Sequence, residues 1–331
     1  MPDKNVDKET SRREFIIRSS KAGLLILSSC ITGYLFYNNK NLVSSVKAES
    51  MTGLPDFSIK EKAGKIAIAK GADRVKTINL ALKALGGIET FIKKGDRVLL
   101  KVNAAFASPP ILSATTNPEL LKEIIRLCYA AGAVSVVITD NPINDPVSCF
   151  SLTGIENAAK SKGAKIILPD KSFFAPLSIE GGKLIKDWPV LYKPLMNADK
   201  LIGIAPLKDH HRSGASMTMK NWYGLLGGRR NIFHQDINNI IKELAIMVKP
   251  TLVILDGTTT MMSNGPTGGS LSDLKQTNTM IAGTDQVAVD AYGATLLGKR
   301  VEELAYIEKA HTAGVGNMNY RLLNPEIITA V

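Results

Sequence analysis

The sequence predicts an α/β protein in which a mostly parallel sheet is flanked by helices, in the Rossmann-like manner. Short apolar runs of strand length alternate with segments whose apolar residues recur at helical spacing, beginning near residue 65. The first elements follow the order β-α-β-α-β-α-β, which is typical of parallel strands joined by covering helices. Glycine, proline and asparagine stand where these helical segments start and stop.

The first half of the pattern is the more regular. Apolar runs predict strands at 65–69, 96–102, 134–140 and 164–168, and helical spacing predicts helices at 74–85, 119–131 and 155–162. Gly86 and Gly87 close the first helix, while Asn117 and Pro118 open the second. These alternating elements predict parallel strands covered by helices.

The second half contains the remaining strands and helices. Residues 177–190 form a predicted hairpin around Gly181 and Gly182. Further strands are predicted at 200–205, 252–256 and 279–282, and helices at 217–226, 237–247, 286–297 and 302–312. We expect residues 64–331 to form a single α/β domain, or two lobes divided near 175–200.

The N-terminal segment is typical of a twin-arginine export signal. Ser11, Arg12 and Arg13 are followed by Phe15 and then by an apolar stretch over 22–37. A translocase that reads this signal carries folded proteins, so the protein is expected in the periplasm or at the cell surface. An ordinary secretory signal or a basic N-terminus is the alternative interpretation.

The sequence leaves three fates for this segment, residues 1–48. Small residues at Val46 and Ala48 favour cleavage after Ala48. The apolar stretch 22–37 is shorter than the roughly 20 residues that a membrane span needs, yet a retained anchor is a second interpretation. Lipidation of Cys30 is a third. In each case we expect the polar residues 49–63 to form a tether.

Composition limits the classes of ligand. The formal net charge of +11 is spread along the chain without a polybasic block, which argues against nucleic acid and favours a small anionic ligand. Removal of the signal leaves Cys128 and Cys149, and two cysteines cannot hold an iron–sulfur cluster or a Cys-rich zinc site. Whether these two cysteines pair stays open.

Reactive side chains follow the predicted strands. Ligands of an open parallel sheet bind beyond the carboxyl ends of its strands, so these positions predict a site. For Asn141 or Asp285 alone, a turn or a helix cap is the favoured interpretation. The strand-end segments are 101–103, 140–142, 208–212, 256–258 and 284–285.

The densest motif spans residues 208–224. Lys208 and His210 precede Lys220, which we expect at the start of a helix, where backbone N–H groups favour an anion. Arg229 and Arg230 would extend this basic lip, with a solvated pair as the equal alternative. A glycine-rich loop at 264–269 matches no nucleotide-binding fingerprint.

At these motifs the chain resembles the family known as domain of unknown function 362, over about residues 64–300. The matching motifs are Lys101–Asn103, Thr115–Glu119, Lys208-x-His210, Thr218-x-Lys220-Asn221-x-x-Gly224, His234, Asp256–Gly257, Gly265-Pro266-x-Gly268 and Asp285–Asp290. The resemblance implies no agreed activity. Some members look like iron–sulfur proteins with an added ferredoxin module, which implies a redox partner, but this chain ends near Val331 without such a module.

The fold is also distantly similar to that of the lactate racemase family. That family binds a nickel-containing, nucleotide-derived cofactor with Lys and His, and this similarity implies a fold rather than a function. No cofactor is therefore assigned to this chain.

The first hypothesis is an exported enzyme or cofactor protein, with His210 and Lys208 as the catalytic pair and Asp256 or Asp140 orienting the histidine. The second hypothesis is a non-catalytic module that binds an anion or a metal, with His210 and His234 as candidate metal ligands. The third is a structural protein whose motif residues are scattered. The predicted binding residues are Lys101, Asn103, Thr115, Thr116, Asp140, Thr218, Lys220, Asn221, Asp256, Gly265, Gly268 and Asp285.

Overall fold

The computed structural model describes residues 12–13, 16–17, 19–24 and 50–330. The described residues before 25 are helical, and the chain divides into two compact units, Met1–Ala48 and Glu49–Val331. Phe15, Cys30, the expected cleavage point after Ala48 and most of the apolar stretch 22–37 lie outside the described residues. No helix in the described part is both long and apolar enough to cross a bilayer.

Residues 50–330 contain eleven strands. The strands are β1 (Ile66–Lys70), β2 (Arg97–Lys101), β3 (Ser135–Thr139), β4 (Lys165–Ile167), β5 (Phe174–Leu177), β6 (Trp188–Leu191), β7 (Lys200–His210), β8 (Gly214–Ser216), β9 (Leu252–Met261), β10 (Leu274–Gly283) and β11 (Glu326–Thr329). Strands β5 and β6 form the predicted hairpin, and they pair only with each other.

The same residues contain nine α-helices. The helices are α1 (Arg74–Ala84), α2 (Pro118–Ala130), α3 (Pro146–Leu152), α4 (Ile155–Ser161), α5 (Lys193–Met196), α6 (Thr218–Asn221), α7 (Ile237–Met247), α8 (Gln286–Leu296) and α9 (Ala305–Thr312). The Asn117 side chain accepts from the backbone N–H groups of Glu119 and Leu120 at the start of α2, as the sequence predicts.

The large sheet has the order β11-β1-β10-β9-β7-β2-β3-β4, with β8 added to the end of β7. Strands β9, β7, β2, β3 and β4 are parallel neighbours, whereas β10 runs antiparallel to both β9 and β1. The predicted α/β class with a mostly parallel sheet is thereby confirmed. Strand β1 pairs with β10 and β11, far from β2, because hydrophobic spacing along a chain does not encode which strands become neighbours.

Apolar side chains from alternate positions of the strands pack into two hydrophobic cores, one on each face of the sheet. In β2, Leu99 packs into one core, and Val98 and Leu100 pack into the other. Helices α1, α2 and α4 cover the face of Val98, while α7 and α8 cover the face of Leu99. Strands buried on both faces explain the nearly continuous apolar runs in the sequence.

The segment predicted as a tether is part of the folded unit from Met51 onward. The Met51 backbone N–H donates to the Pro176 carbonyl over 2.9 Å, and the Phe57 N–H donates to the Lys249 carbonyl over 3.0 Å. The Phe57 side chain is buried in the core. The Phe57 side chain, the partly buried Met51 and Leu54 packed against the same core, and a few backbone bonds anchor a segment that hydrophobic spacing alone would assign to a loop.

Candidate functional site

The site lies at a topological switch point of the sheet, where the strand order reverses. From β2 the chain adds β3 and β4 on one side and then returns to place β7 on the other side of β2. Loops that leave neighbouring strands in opposite directions open a crevice at the carboxyl ends of those strands. A cavity of about 80 Å³ occupies this position between the ends of β2, β3 and β7.

The cavity is rich in cations and aromatic or amide side chains. Four of the lining side chains are cationic, and a single one is a carboxylate. Four larger hollows, of about 980, 550, 490 and 440 Å³, lie elsewhere in the described part of the chain, and none of them is lined by a histidine. The lining side chains include Lys101, Asn103, Phe106, Asp140, Lys208, His210, Lys220, Asn221, Tyr223, Arg230 and His234.

Lys101 and Asp140 form a buried ion pair at the base of the cavity. The register of β2 with β3 places Lys101 opposite Thr139, so the next residue, Asp140, comes within 2.8 Å of the ammonium. Lys101 Nζ also donates to the carbonyl oxygen of Val102 and to Asn221 Oδ1. Burial lowers the pKa of Lys101, and the attraction of Asp140 opposes that shift.

Lys208 and Lys220 face the cavity without a carboxylate partner. Lys208 Nζ donates to the Ala114 carbonyl over 2.6 Å, whereas Lys220 Nζ lies 5.3 Å from the Tyr223 ring centroid. Burial lowers the pKa of Lys208 to about 7, aided by repulsion from Lys220, and lowers the pKa of Lys220 to about 8, aided by repulsion from Arg230. Both amines therefore titrate near neutral pH, and a bound anion would favour their charged forms.

Arg230 ties two loops together and adds positive charge beside the cavity. Its guanidinium donates to the carbonyl oxygens of Tyr223 and Leu226, and to those of Asn141 and Pro142 after β3. Carbonyl oxygens satisfy the donors of the guanidinium but do not neutralise its charge. The charge of Arg230 therefore remains available to a nearby anion.

His210 presents a hydrogen-bond donor to the site. The turn between β7 and β8 points the backbone N–H groups of Arg212 and Ser213 at His210 Nδ1, at 3.1 and 3.2 Å. Because Nδ1 accepts both bonds, the proton of the neutral ring is on Nε2. Burial, followed by repulsion from Lys220, lowers the pKa of His210 to about 2, so the ring is neutral at physiological pH.

His234 has the opposite tautomer. Its Nδ1 lies 3.2 Å from the Asn231 carbonyl oxygen and 3.2 Å from Tyr223 Oη. The Tyr223 hydroxyl donates its own hydrogen bond to the Arg230 carbonyl oxygen. A carbonyl oxygen can only accept, so Nδ1 carries the proton and Nε2 keeps its lone pair. The rings of His234 and His210 are stacked with centroids 6.0 Å apart.

The tautomer of His210 fits an anion site better than a metal site. The predicted role of His210 as a metal ligand through Nε2 needs a lone pair there, and the two N–H groups facing Nδ1 prevent it. In the part of the chain that the structure describes, no three His, Cys, Asp or Glu side chains are grouped to hold a metal ion. His210 is also unsuited as a general base, because burial lowers the pKa of its ring to about 2. This corrects the expectation that was based on the ordinary pKa of histidine.

Two predicted binding residues hold the site in place instead of lining it. Thr218 donates its backbone N–H and its Oγ1 to Asp290, over 2.8 and 2.5 Å, and the Met219 N–H donates to the same carboxylate. The first N–H groups of α6 are therefore occupied, which corrects the expectation that they bind an anion. Thr116 Oγ1 accepts from the Asn103 N–H and donates to the Ile204 carbonyl.

Asp256 and Asp285 lie outside the cavity. Strand β9 is longer than predicted, so Asp256 lies within it and pairs with Arg74 at 2.9 Å. Asp285 follows β10, whose antiparallel direction carries its end to the opposite edge of the sheet, where Asp285 caps α8 through the N–H groups of Val287 and Ala288. The site is thus built by β2, β3 and β7 with the segment 216–234.

The remaining predicted residues are structural neighbours of the cavity. Thr115 is buried beside the carbonyl that holds Lys208, and its Oγ1 has no partner among residues 50–330. Gly265 packs so closely on the Asp209 backbone that a side chain would overlap with it, and the next residue, Pro266, lines the cavity. Gly268, with φ of +60°, abuts Met261 and is absent from the residues lining the cavity.

Sequence reasoning missed two aromatic residues of the site. Phe106, in the loop after β2, lies with its ring centroid 5.3 Å from Lys208 Nζ. Tyr223 follows Lys220 by three residues, the spacing that places side chains on one helical face, and this spacing is the signal that could have identified it. Phe106 left no comparable signal, because its loop has no periodicity.

Comparisons with known proteins give one family, one protein similar in sequence and one solved structure with a weak likeness. A family model described as Domain of unknown function (DUF362) matches residues 98–295. Thylakoid-associated protein sll1697 of Synechocystis sp. is 28% identical over 228 residues, which are 65% of this chain and 67% of that protein. The lactate racemase apoprotein of Thermoanaerobacterium thermosaccharolyticum superposes with a TM-score of 0.40 and 14% identity over 76% of this chain and only 59% of that one.

Proposed function

The chain belongs to the family of the domain of unknown function DUF362, and from that premise we propose that its basic cavity binds a small anionic substrate or cofactor. The observation that carries the proposal is an excess of enclosed positive charge: Lys208 and Lys220, which are buried, and Arg230, which is half-buried, have no carboxylate partner within 4 Å among the described residues. Buried charges are normally paired, so a bound anion would supply what is missing.

The size of the cavity limits the ligand. Its volume of about 80 Å³ is well below the roughly 300–1,000 Å³ of sites for drug-sized molecules. A carboxylate, phosphate or sulfate group, alone or at the end of a larger molecule, suits this space. The His210 Nε2–H and the ammonium groups of Lys208 and Lys220 would donate to its oxygens.

Anion binding should depend on pH in a defined direction. Lysines with lowered pKa values are charged below those values and neutral above them, and an anion favours the charged form. Affinity is therefore highest below about pH 7 and falls as the pH rises through about 8, the pKa of Lys220. Binding near neutral pH should also take up protons.

Isothermal titration calorimetry with sulfate tests the proposal, because sulfate is a dianion whose charge does not change over this pH range. We expect Lys220→Met to weaken sulfate binding by roughly 10- to 100-fold, the value of a charge-assisted hydrogen bond. Lys309→Met, on the exposed face of α9, is the matched control and should leave affinity unchanged. Equal affinity in wild type and Lys220→Met, or affinity that does not change with pH, would refute the assignment.

We further propose that this site works outside the cytoplasm and that Arg12 and Arg13 form the export signal. The double variant Arg12→Lys/Arg13→Lys keeps the charge but removes the paired guanidinium groups, so the chain should accumulate in the cytoplasm. Cell fractionation of this variant, with Lys4→Arg as a control, measures the effect. Unchanged export of the double-lysine chain would contradict the proposal.

Membrane association is the remaining part of the proposal. The name of the cyanobacterial relative places that protein at the thylakoid, and an uncleaved stretch 22–37 would tether this chain to a membrane. A module that holds the anion without reacting with it would use the same cavity as a catalyst would.

A further inference from the structure

We propose that Lys220 forms an imine with a small compound of the 2-oxo acid class, in which a carbonyl group stands beside a carboxylate. This inference rests on the proposed anion site and deepens it by naming the substrate class. The excess of cations selects the carboxylate, the free amine selects the carbonyl, and the small cavity requires both groups within a few atoms.

Lys220 differs from the other cations of the cavity in its freedom. Lys101 is held by Asp140 and two oxygens, Lys208 donates to the Ala114 carbonyl, and Arg230 donates to four carbonyls. Within the described part of the chain, Lys220 Nζ has no hydrogen-bond acceptor, even though the residue is buried, with only 9% of its surface exposed to solvent. An amine that no acceptor holds can approach a bound carbonyl carbon.

The surroundings of Lys220 also favour its reactive form. A lysine becomes nucleophilic when burial and a neighbouring cation stabilise the neutral amine. Both conditions apply here, because the side chain is enclosed and Arg230 repels its charge, with the pKa of Lys220 lowered to about 8. A sizeable fraction of the amine is then neutral near physiological pH.

The two histidines supply the complementary hydrogen-bonding groups. The Nε2–H of His210 can donate to the carbonyl oxygen as negative charge develops there, as neutral imidazoles do in other active sites. The free Nε2 of His234 can accept the proton that the amine loses. Lys208, whose amine donates to the Ala114 carbonyl, remains to bind the carboxylate, and the bound carboxylate would raise the lowered pKa of Lys208 and favour its charged form.

The reaction needs no oxidant or additional reactant. The lone pair of Lys220 Nζ attacks the carbonyl carbon, the C–N bond forms, and the π electrons of the carbonyl move to its oxygen, which takes one of the two amine protons through His234. His234 then carries the second nitrogen proton to the resulting hydroxyl, the C–O bond breaks, and water leaves as the C=N bond forms. The net change is amine plus carbonyl to imine plus water.

Reductive trapping tests the inference. The full chain is incubated with pyruvate and sodium cyanoborohydride, and the product is analysed by intact mass and peptide mapping. We expect one reduced adduct per chain, located at Lys220 and suppressed by excess sulfate. Lys220→Arg should lose the adduct while still binding sulfate, more weakly than the wild type, and the control Lys309→Arg should keep it.

Two results separate the failure of this inference from the failure of the anion site. Sulfate binding without any adduct at Lys220, or with adducts spread over surface lysines at equal frequency, would overturn the imine and leave the anion site standing. Absence of sulfate binding would overturn both. The peptide map of the wild-type chain decides the matter even where Lys220→Arg fails to fold.

Discussion

Replacing Asp140 with alanine should lower the free energy of unfolding by about 3–5 kcal/mol, the usual cost of leaving one member of a buried ion pair without its partner. The Lys101 ammonium lies 2.8 Å from Asp140 Oδ1, and both side chains are almost wholly buried. Asp140 also accepts the backbone N–H groups of Ala104 and Asn141, so its loss leaves further polar groups unsatisfied.

Urea denaturation of the wild type and of Asp140→Ala measures this effect. Asp199→Ala is the matched control, because Asp199 pairs with Arg97 at the other end of β2, where both side chains are largely exposed, and we expect a much smaller loss. Similar losses in the two variants would contradict the importance that we assign to the buried pair.

The Asp140→Ala variant should also show a distinctive pH dependence. Without the carboxylate the folded-state pKa of Lys101 falls further below its value in the unfolded chain. The unfolded chain then binds more protons between these two pKa values, so the stability of the variant should rise with pH across that interval. Part of the loss seen near neutral pH should therefore be recovered in alkaline solution.

Gly224→Ala should disrupt the same ion pair by steric overlap. A Cβ at Gly224 would overlap with Asp140 Oδ1 and lie 2.8 Å from Lys101 Nζ. Forcing one carbon into a packed interior costs about 1–3 kcal/mol, and separation of the buried pair adds to that cost. We expect a total loss of about 3 kcal/mol or more, together with weaker sulfate binding.

The control for this variant is Gly269→Ala. A Cβ at Gly269 would have no atom within 4 Å, and the backbone there has no positive φ that would penalise alanine. Thermal and urea unfolding of the two variants, with sulfate titration of each, provide the comparison. Wild-type stability in Gly224→Ala would show that the loop can move away and that close backbone approach is not required.

The family motif 218–224 is explained by this geometry. Its glycine provides the space in which the ion pair lies, its asparagine accepts a hydrogen bond from Lys101, and its threonine fixes the start of α6 through Asp290. Of the polar side chains in the motif, only Lys220 has no hydrogen-bond acceptor among residues 50–330, and its Nζ lies 5.3 Å from the Tyr223 ring centroid. An amine that no hydrogen bond holds, in a motif whose other polar side chains are bonded, is the natural place to look for chemistry.

Several features of the site were predictable because they depend on strand ends. Lys101, Asp140, Lys208 and His210 meet at one edge because β2, β3 and β7 are parallel, and parallel strands were evident from the alternating pattern. Asp285 follows the same rule in the sequence but lies at the far edge. The direction of β10 depends on its partners β1 and β9, which no local pattern records.

The α/β class, the positions of the long helices and of the central strands, and the basic motif beyond β7 were predictable, because they depend on spacing and composition along the chain. The pairing of the cations, the histidine nitrogen that carries a proton and the lysine that is left without an acceptor emerge only in the folded molecule. Those properties depend on atoms from distant segments, such as the carbonyl of Ala114 beside Lys208 and the ring of Tyr223 beside His234. Burial and hydrogen bonding between such segments determine the chemistry of each group.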